Sequence, residues 1–160
     1  MRVYHGGTGK IEFPDVSKGR PGLDFGQGFY VTDIQDQAES WADRMSRIRL
    51  EVGIVNVYEF DIQKAKTLFA YKKFNNYDVE WLEYIVANRR GEYEGINFDI
   101  VEGGVANDRV IDTVEAYMSN MMPLETALKN LSLHRPNNQL CLRNQQVVDN
   151  FLNFIENYQL

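Results

Sequence analysis

The sequence holds one cysteine, Cys141, and two histidines, His5 and His134. A single cysteine excludes an intramolecular disulfide. One cysteine with two histidines also excludes a metal site built on those ligands, which leaves only carboxylates to hold a cation such as Mg²⁺. So little cysteine fits a reducing compartment, and the expected location is the cytoplasm. No apolar stretch follows Met1-Arg2-Val3-Tyr4-His5-Gly6, so no cleavable signal peptide is expected. No run approaches the roughly 18 apolar residues that cross a bilayer, so no membrane partner is expected. Positive charge is also scarce: 17 Lys and Arg stand against 23 Asp and Glu, for a net charge of -6. That argues against a broad phosphate-binding surface for duplex nucleic acid. A local patch remains, at Arg44, Arg47 and Arg49. It reads as a solvated helix face or as a guide for a nucleic-acid acceptor.

What is present is globular. Hydrophobic residues make up 44% and charged residues 25% of 160 positions, enough for one sizeable core and far from a disordered composition. There is no repeat, no low-complexity tract and no linker, so residues 1–160 read as a single domain. Val3 and Tyr4 favour a strand over Arg2–His5, ended by Gly6-Gly7. Residues 8–27 are rich in glycine, proline and charge, and a loop of that length in a compact domain is often a functional lid. A strand is expected over Gly28–Thr32. Asp33 reads as the N-cap of a helix over Gln35–Arg49, on which Ala38, Trp41, Ala42 and Met45 recur at helical spacing. A strand over Gly53–Phe60, a helix over Asp78–Asn88 and a short strand over Asn97–Val101 follow. Helices over Asp112–Met121 and Pro123–Leu131, a strand over Gln139–Leu142 and a closing helix over Val147–Tyr158 complete the reading. Strands and helices without regular βαβ alternation indicate an α+β fold.

Chemistry-bearing residues gather in short stretches: Tyr4-His5-Gly6-Gly7-Thr8, Asp24-Phe25-Gly26-Gln27-Gly28-Phe29-Tyr30-Val31-Thr32-Asp33, and Asn137-Asn138-Gln139-Leu140-Cys141-Leu142. Singly, each has a plain structural meaning. Gly26 and Gly28 suit a turn, Tyr30 suits a core, and Gln139 suits a strand start. The glycines do not form a dinucleotide fingerprint, because no strand, G-x-G-x-x-G and helix occur in that order.

Taken together, these stretches resemble the histidine–tyrosine branch of the ADP-ribosyltransferase superfamily. His5-Gly6 resembles its opening His-Gly. Gly26-Gln27-Gly28-Phe29-Tyr30 resembles its Gly-x-Gly-aromatic-Tyr strand. Trp41 falls on the following helix, where polymerase relatives place a second aromatic. Over nearly its full length the chain also resembles an uncharacterised bacterial family, domain-of-unknown-function family 3990. The stretches Gln37-Ala38-Glu39-Ser40-Trp41-Ala42, Asn88-Arg89, Phe98-Asp99-Ile100-Val101 and Asn138-Gln139 carry that likeness. That family is regarded as ADP-ribosyltransferase-like and often stands beside a small partner gene.

The resemblance implies a split β-sheet core with flanking helices and NAD⁺ as substrate. It also implies cleavage of the nicotinamide–ribose bond, with transfer of ADP-ribose to an unknown macromolecular acceptor, protein or nucleic acid. A bacterial toxin paired with a small antitoxin-like protein is the implied setting. His5, Tyr30 and Gln139 would be catalytic, and His5, Gly6, Arg20, Gly28, Tyr30 and Trp41 would hold NAD⁺. Tyr30 and Trp41 would sandwich the cationic nicotinamide ring by stacking and cation–π attraction. Gly6 would offer its backbone to the carboxamide, and His5 would bond an adenosine ribose hydroxyl. The loop over residues 8–27 would cover the cofactor, bringing Lys10, Lys18 or Arg20 to the diphosphate.

The chain departs from the branch at two positions. Gln139 stands where most active relatives carry glutamate, and Ala38 stands where polymerase relatives often carry serine. A Gln carbonyl accepts a ribose hydroxyl but lacks the full charge and cannot act as a base. A catalytically weak NAD⁺- or ADP-ribose-binding module, an NAD⁺ glycohydrolase, and an interaction module without a nucleotide site are therefore the rivals. Outside the motifs, Asp99, Glu102 and Asp108 read as acid/base candidates or as turn and helix-start residues. Asp24 reads as orienting the glycine loop or the acceptor. His134 reads as an exposed loop residue. Tyr71, Phe74, Tyr77 and Trp81 read as core or as a partner-binding patch.

Overall fold

The computed structural model describes residues 1–160. The fold is α+β, with six helices and two open sheets. Strand β1 (Arg2–Gly7) pairs antiparallel with β3 (Ile54–Phe60), and β3 pairs antiparallel with β7 (Leu152–Gln159). The second sheet runs in the order β2 (Phe29–Val31), β6 (Gln139–Leu142), β5 (Ile100–Gly103), β4 (Tyr71–Lys73). Its β4–β5 pair is parallel and the others are antiparallel.

The two sheets touch at one bridge. The Tyr4 N–H donates to the Thr32 carbonyl at 2.8 Å, and the Thr32 N–H returns the bond to Tyr4 at 2.9 Å. Helix α1 (Gln35–Arg49) lies over β1, where Ala38, Ala42 and Val55 form a small core with Tyr4 and Tyr158 packed against it. Helix α2 (Ile62–Leu68) and helix α6 (Gln145–Phe151) add Ile62, Ala65, Val147 and Val148 to the apolar layer of Val3, Phe29, Val31, Tyr58, Leu140 and Leu142. On the other face of the second sheet, α3 (Val79–Arg90), α4 (Ile111–Met118) and α5 (Leu124–Leu131) cover Val101 and Cys141 with Trp81, Leu82, Ile85, Val114 and Leu131.

Several expectations change. Gly6 and Gly7 lie within β1 rather than ending it, and the strand expected over Asn97–Val101 runs instead over Ile100–Gly103. The closing helix over Val147–Tyr158 is instead the short α6 followed by β7. Val147, Val148, Phe151 and Tyr158 recur at helical spacing, but the free edge of β3 offers a run of backbone partners and takes Leu152–Gln159 as a strand. Asp33 does not cap α1. The N-cap is Ile34, whose N–H bonds the Thr32 hydroxyl, and Asp33 accepts from Asn138 instead. The helix expected over Asp112–Met121 runs over Ile111–Met118, and Asp108, read also as a helix start, lies before it, exposed and paired with Arg44. Finally, α2 and β4 fill a stretch the sequence pattern left blank.

The loop from Thr8 to Gly28 is tied down rather than loose. The Asn56 amide bonds Ile11 N–H and the Gly9 carbonyl, and the Tyr58 hydroxyl donates to the Ile11 carbonyl. Gln145 bonds Val16 N–H and the Pro14 carbonyl, while Gln27 donates to the Ser17 and Gly19 carbonyls.

Candidate functional site

Beyond the Tyr4–Thr32 bridge the two sheets part. His5 stands at the point of parting. Its Nδ1 lies 2.7 Å from the Tyr30 carbonyl oxygen, and its ring stacks on Phe29 at 4.6 Å. A carbonyl only accepts, so Nδ1 carries the proton and Nε2 of the neutral ring is left as an acceptor. Burial lowers the His5 pKa below 6.5, against a smaller opposing pull from the Tyr30 carbonyl. The ring is therefore neutral at pH 7.

A histidine neutral in the fold but free to protonate when unfolded stabilises the native state fully above its unfolded pKa, about 6.5. It stabilises progressively less as the pH falls toward its own lowered value. Stability is thus expected to drop between pH 7 and pH 5.5. Urea midpoints across that range test this, with a flatter profile expected in His5→Asn, whose amide keeps the donor.

At the same parting point lies Gly6, which is buried under α1. Tyr4 turns its N–H and C=O toward Thr32, so the alternation of an antiparallel ladder turns those of Gly6 the same way, into the gap. Gly6 must be glycine for another reason as well. A Cβ there would lie 2.0 Å from the Ala38 carbonyl oxygen and 2.9 Å from Ala42 N, because α1 rests directly on β1. Trp41 follows Ala38 by three residues, which sets it roughly 60° around the helix from that contact. Trp41 is 45% exposed, and the Arg44 guanidinium sits 5.6 Å from its ring centre.

Tyr30 is pinned at its hydroxyl, which donates to the Gly26 carbonyl at 2.7 Å and accepts from Phe25 N–H at 3.1 Å. Its ring lies parallel to Phe25 at 6.5 Å. Burial pushes its pKa far above the ordinary tyrosine value, so it stays protonated and is no base. Gly26 adopts a φ of +82°, which favours glycine, and the Tyr30 bonds fasten this turn.

Gln139 heads β6, opposite Gly103, and is partly buried, with no side-chain hydrogen bond inside the chain. The register that sets Val31 beside Leu140 carries Thr32 beside Gln139 and, across the bridge, Tyr4 beside Thr32. Neighbouring strands lie about 5 Å apart, so Gln139 is about 5 Å from Thr32 and about 10 Å from Tyr4 at the backbone. Alternation puts Gly6, Tyr30, Thr32 and Gln139 on one face of the joined strands and the His5 ring on the other. A ligand touching all of them has to pass through the gap rather than lie along one face.

Residue Asn138 locks the head of β6. Its carbonyl accepts from the Thr32 hydroxyl at 2.7 Å and from Gln37 at 3.3 Å, and its amide donates to Asp33 and to buried Glu102. Glu102 also accepts from Tyr71 and from Lys73. Burial raises the Glu102 pKa, but the bonds from Tyr71, Lys73 and Asn138 outweigh it, so the carboxyl stays charged and committed.

Other expected residues fall elsewhere. Gly28 does not open toward a ligand. A Cβ there would lie 2.6 Å from the Leu142 carbonyl oxygen and 2.7 Å from the Cys141 sulfur, so the missing side chain lets β6 pack. Arg20 is exposed and without an acidic partner, and Lys10 is paired with Glu12. Asp99 caps the chain from both sides, accepting from Ala70 N–H and from Asn144. Asp24 is buried against Arg89 at 2.6 Å and accepts from Ala106 N–H at 2.7 Å, partners that no local pattern signals. Tyr77 and Trp81 are core, and Trp81 donates to the Gly104 carbonyl. No helix is long and apolar enough to cross a membrane.

A family model described as a protein of unknown function, DUF3990, matches residues 1–154. No curated protein and no solved structure matches the chain.

Proposed function

We propose that this chain, which belongs to the DUF3990 family of proteins of unknown function, binds NAD⁺ in the gap between β1 and β2 and cleaves its nicotinamide–ribose bond. The observation that carries this reading is the His5–Tyr30 bond at 2.7 Å, placed where the two sheets part and beside the unpaired backbone of Gly6. That arrangement supplies a donor and an acceptor for a carboxamide at Gly6 and a neutral acceptor at His5 Nε2 for a ribose hydroxyl. Trp41 supplies an exposed aromatic face for the cationic ring. Arg44 already competes for that face, so nicotinamide gains only by displacing it or by taking the other side.

In this mechanism the C1′–N1 bond breaks and its electron pair returns to the nicotinamide nitrogen. Positive charge develops on the ribose, as in glycoside cleavage. The Gln139 amide oxygen accepts the ribose 2′-hydroxyl beneath that charge. An acceptor nucleophile, or water, then bonds C1′ and loses its proton to solvent or to a group of its own, since neither protonated Tyr30 nor Gln139 takes one. Transfer to a macromolecular acceptor, in a bacterial toxin held in check by a small partner protein, is the setting the family likeness favours. The uncharged Gln139 favours a second reading, an NAD⁺- or ADP-ribose-binding module with slow or no turnover.

Nicotinamide release from NAD⁺ by the purified chain tests the proposal. Release is expected, with a loss of roughly tenfold in His5→Ala, the size of one hydrogen bond to the ligand. Release equal in wild type and His5→Ala would move the chemistry away from this gap.

A further inference from the structure

Arg143, just past β6, carries a guanidinium that nothing in the chain satisfies. It makes no ion pair, and its Nε and Nη1 are cut off from solvent without any hydrogen-bond acceptor. Of all side chains, only Tyr84 shares that condition, through its hydroxyl. Burying a charged group without partners is costly, and arginine cannot escape by losing its proton. The nearest carboxylate on the same wall, Asp99, is spent on Ala70 N–H and on Asn144, both at 2.9 Å.

The same guanidinium lines a surface pocket of about 420 Å³ together with Gln27, Asn97, Phe98, Asn144 and Gln145. Apart from Phe98 and Asp99, the wall is amide side chains, which donate as well as accept. Gly26 lets the guanidinium in: a Cβ there would meet Arg143 Nη2 at 3.3 Å and Asn88 Oδ1 at 2.9 Å. Nη2 is the one guanidinium nitrogen not cut off from solvent, and a cationic N–H donor flanked by amides suits an anion with several oxygens.

We propose that this pocket binds a phosphoryl group, free or carried by a small polar molecule. It lies on the far side of β2 from the His5 gap, because β2 stands between β1 and β6, the strand Arg143 follows, and it does not depend on the NAD⁺ reading. The volume exceeds that of a bare ion, which favours a phosphate ester.

Thermal unfolding of the full chain, with inorganic phosphate and with ribose 5-phosphate at matched ionic strength, tests it. A ligand at tenfold over its Kd is expected to raise Tm by roughly 3–5 °C. Asn97→Asp is the decisive variant, because Asn97 is exposed and its new charge repels the anion without disturbing the core. Arg143→Gln is the second. The rise is expected to vanish in both and to survive in His5→Ala. The stronger ligand of the two identifies the source, free phosphate or an ester. No rise beyond that of sodium chloride overturns the proposal, as does a rise unchanged in Asn97→Asp or one lost in His5→Ala.

Discussion

Gln139→Glu is expected to raise nicotinamide release on the order of 10²–10³-fold, the size of effect that one well-placed electrostatic contact has on a charged transition state. The position is prepared for it. Gln139 is partly buried at the head of β6, its amide is uncommitted, and Asn138 holds the backbone through Thr32, Gln37, Asp33 and Glu102. In the proposed mechanism a carboxylate there adds full negative charge beneath the ribose. No existing carboxylate substitutes for it. Glu102 sits on the adjacent strand, but β5–β6 register pairs it with Leu140, so its side chain leaves on the opposite face from Gln139. Initial rates of wild type and variant at saturating NAD⁺ give the comparison. An unchanged or lower rate in a variant that still binds NAD⁺ would mean that Gln139 does not face the breaking bond.

Loss of the Asp24 carboxylate is expected to cost about 3 kcal/mol of stability, near the lower end for breaking a buried pair because Arg89 keeps some water. At roughly 2–4 °C per kcal/mol in a chain of this size, Tm falls by about 6–12 °C in Asp24→Ala. Two groups lose their partner at once: the Arg89 guanidinium and the Ala106 N–H. Asp24→Asn keeps an acceptor for one of them and is expected to lose less. Asp24 immediately precedes the Phe25–Gly26 turn that Tyr30 fastens, so the same change loosens the wall behind Tyr30. Urea or thermal unfolding measures it, and a loss under about 1 kcal/mol in Asp24→Ala would contradict the pairing.

Much of this was legible in residue order. The span Gln35–Arg49 reads as a helix because its apolar positions repeat at helical spacing, and α1 occupies that span. The β6 limits at Gln139 and Leu142 match a short apolar run after a polar loop. Gly6 reads in the sequence as a backbone offered to a ligand. The structure adds that α1 fills the space a side chain would take.

What escaped was set by contacts between distant residues. The segment Leu152–Gln159 carries apolar positions compatible with either period, and only the open edge of β3 makes it a strand. Arg89 becomes the partner of Asp24 across 65 positions, and no local pattern encodes that. Arg143 carries no local signal, because its lack of partners is a property of the packed chain. Gly28 and Tyr30 read in the sequence as ligand-facing, while the structure spends the one on β6 and the Tyr30 hydroxyl on the Gly26 turn.

The most direct test is an NAD⁺ titration followed by tryptophan fluorescence. Trp81 is fully buried and Trp41 is 45% exposed, so a ligand-induced change reports on the α1 edge of the gap. Binding between β1 and β2 predicts a saturable quench that disappears in Trp41→Phe and shifts to higher concentration in His5→Ala. No saturable change up to millimolar NAD⁺, with no heat of binding in a parallel calorimetric titration, would contradict NAD⁺ binding at this site.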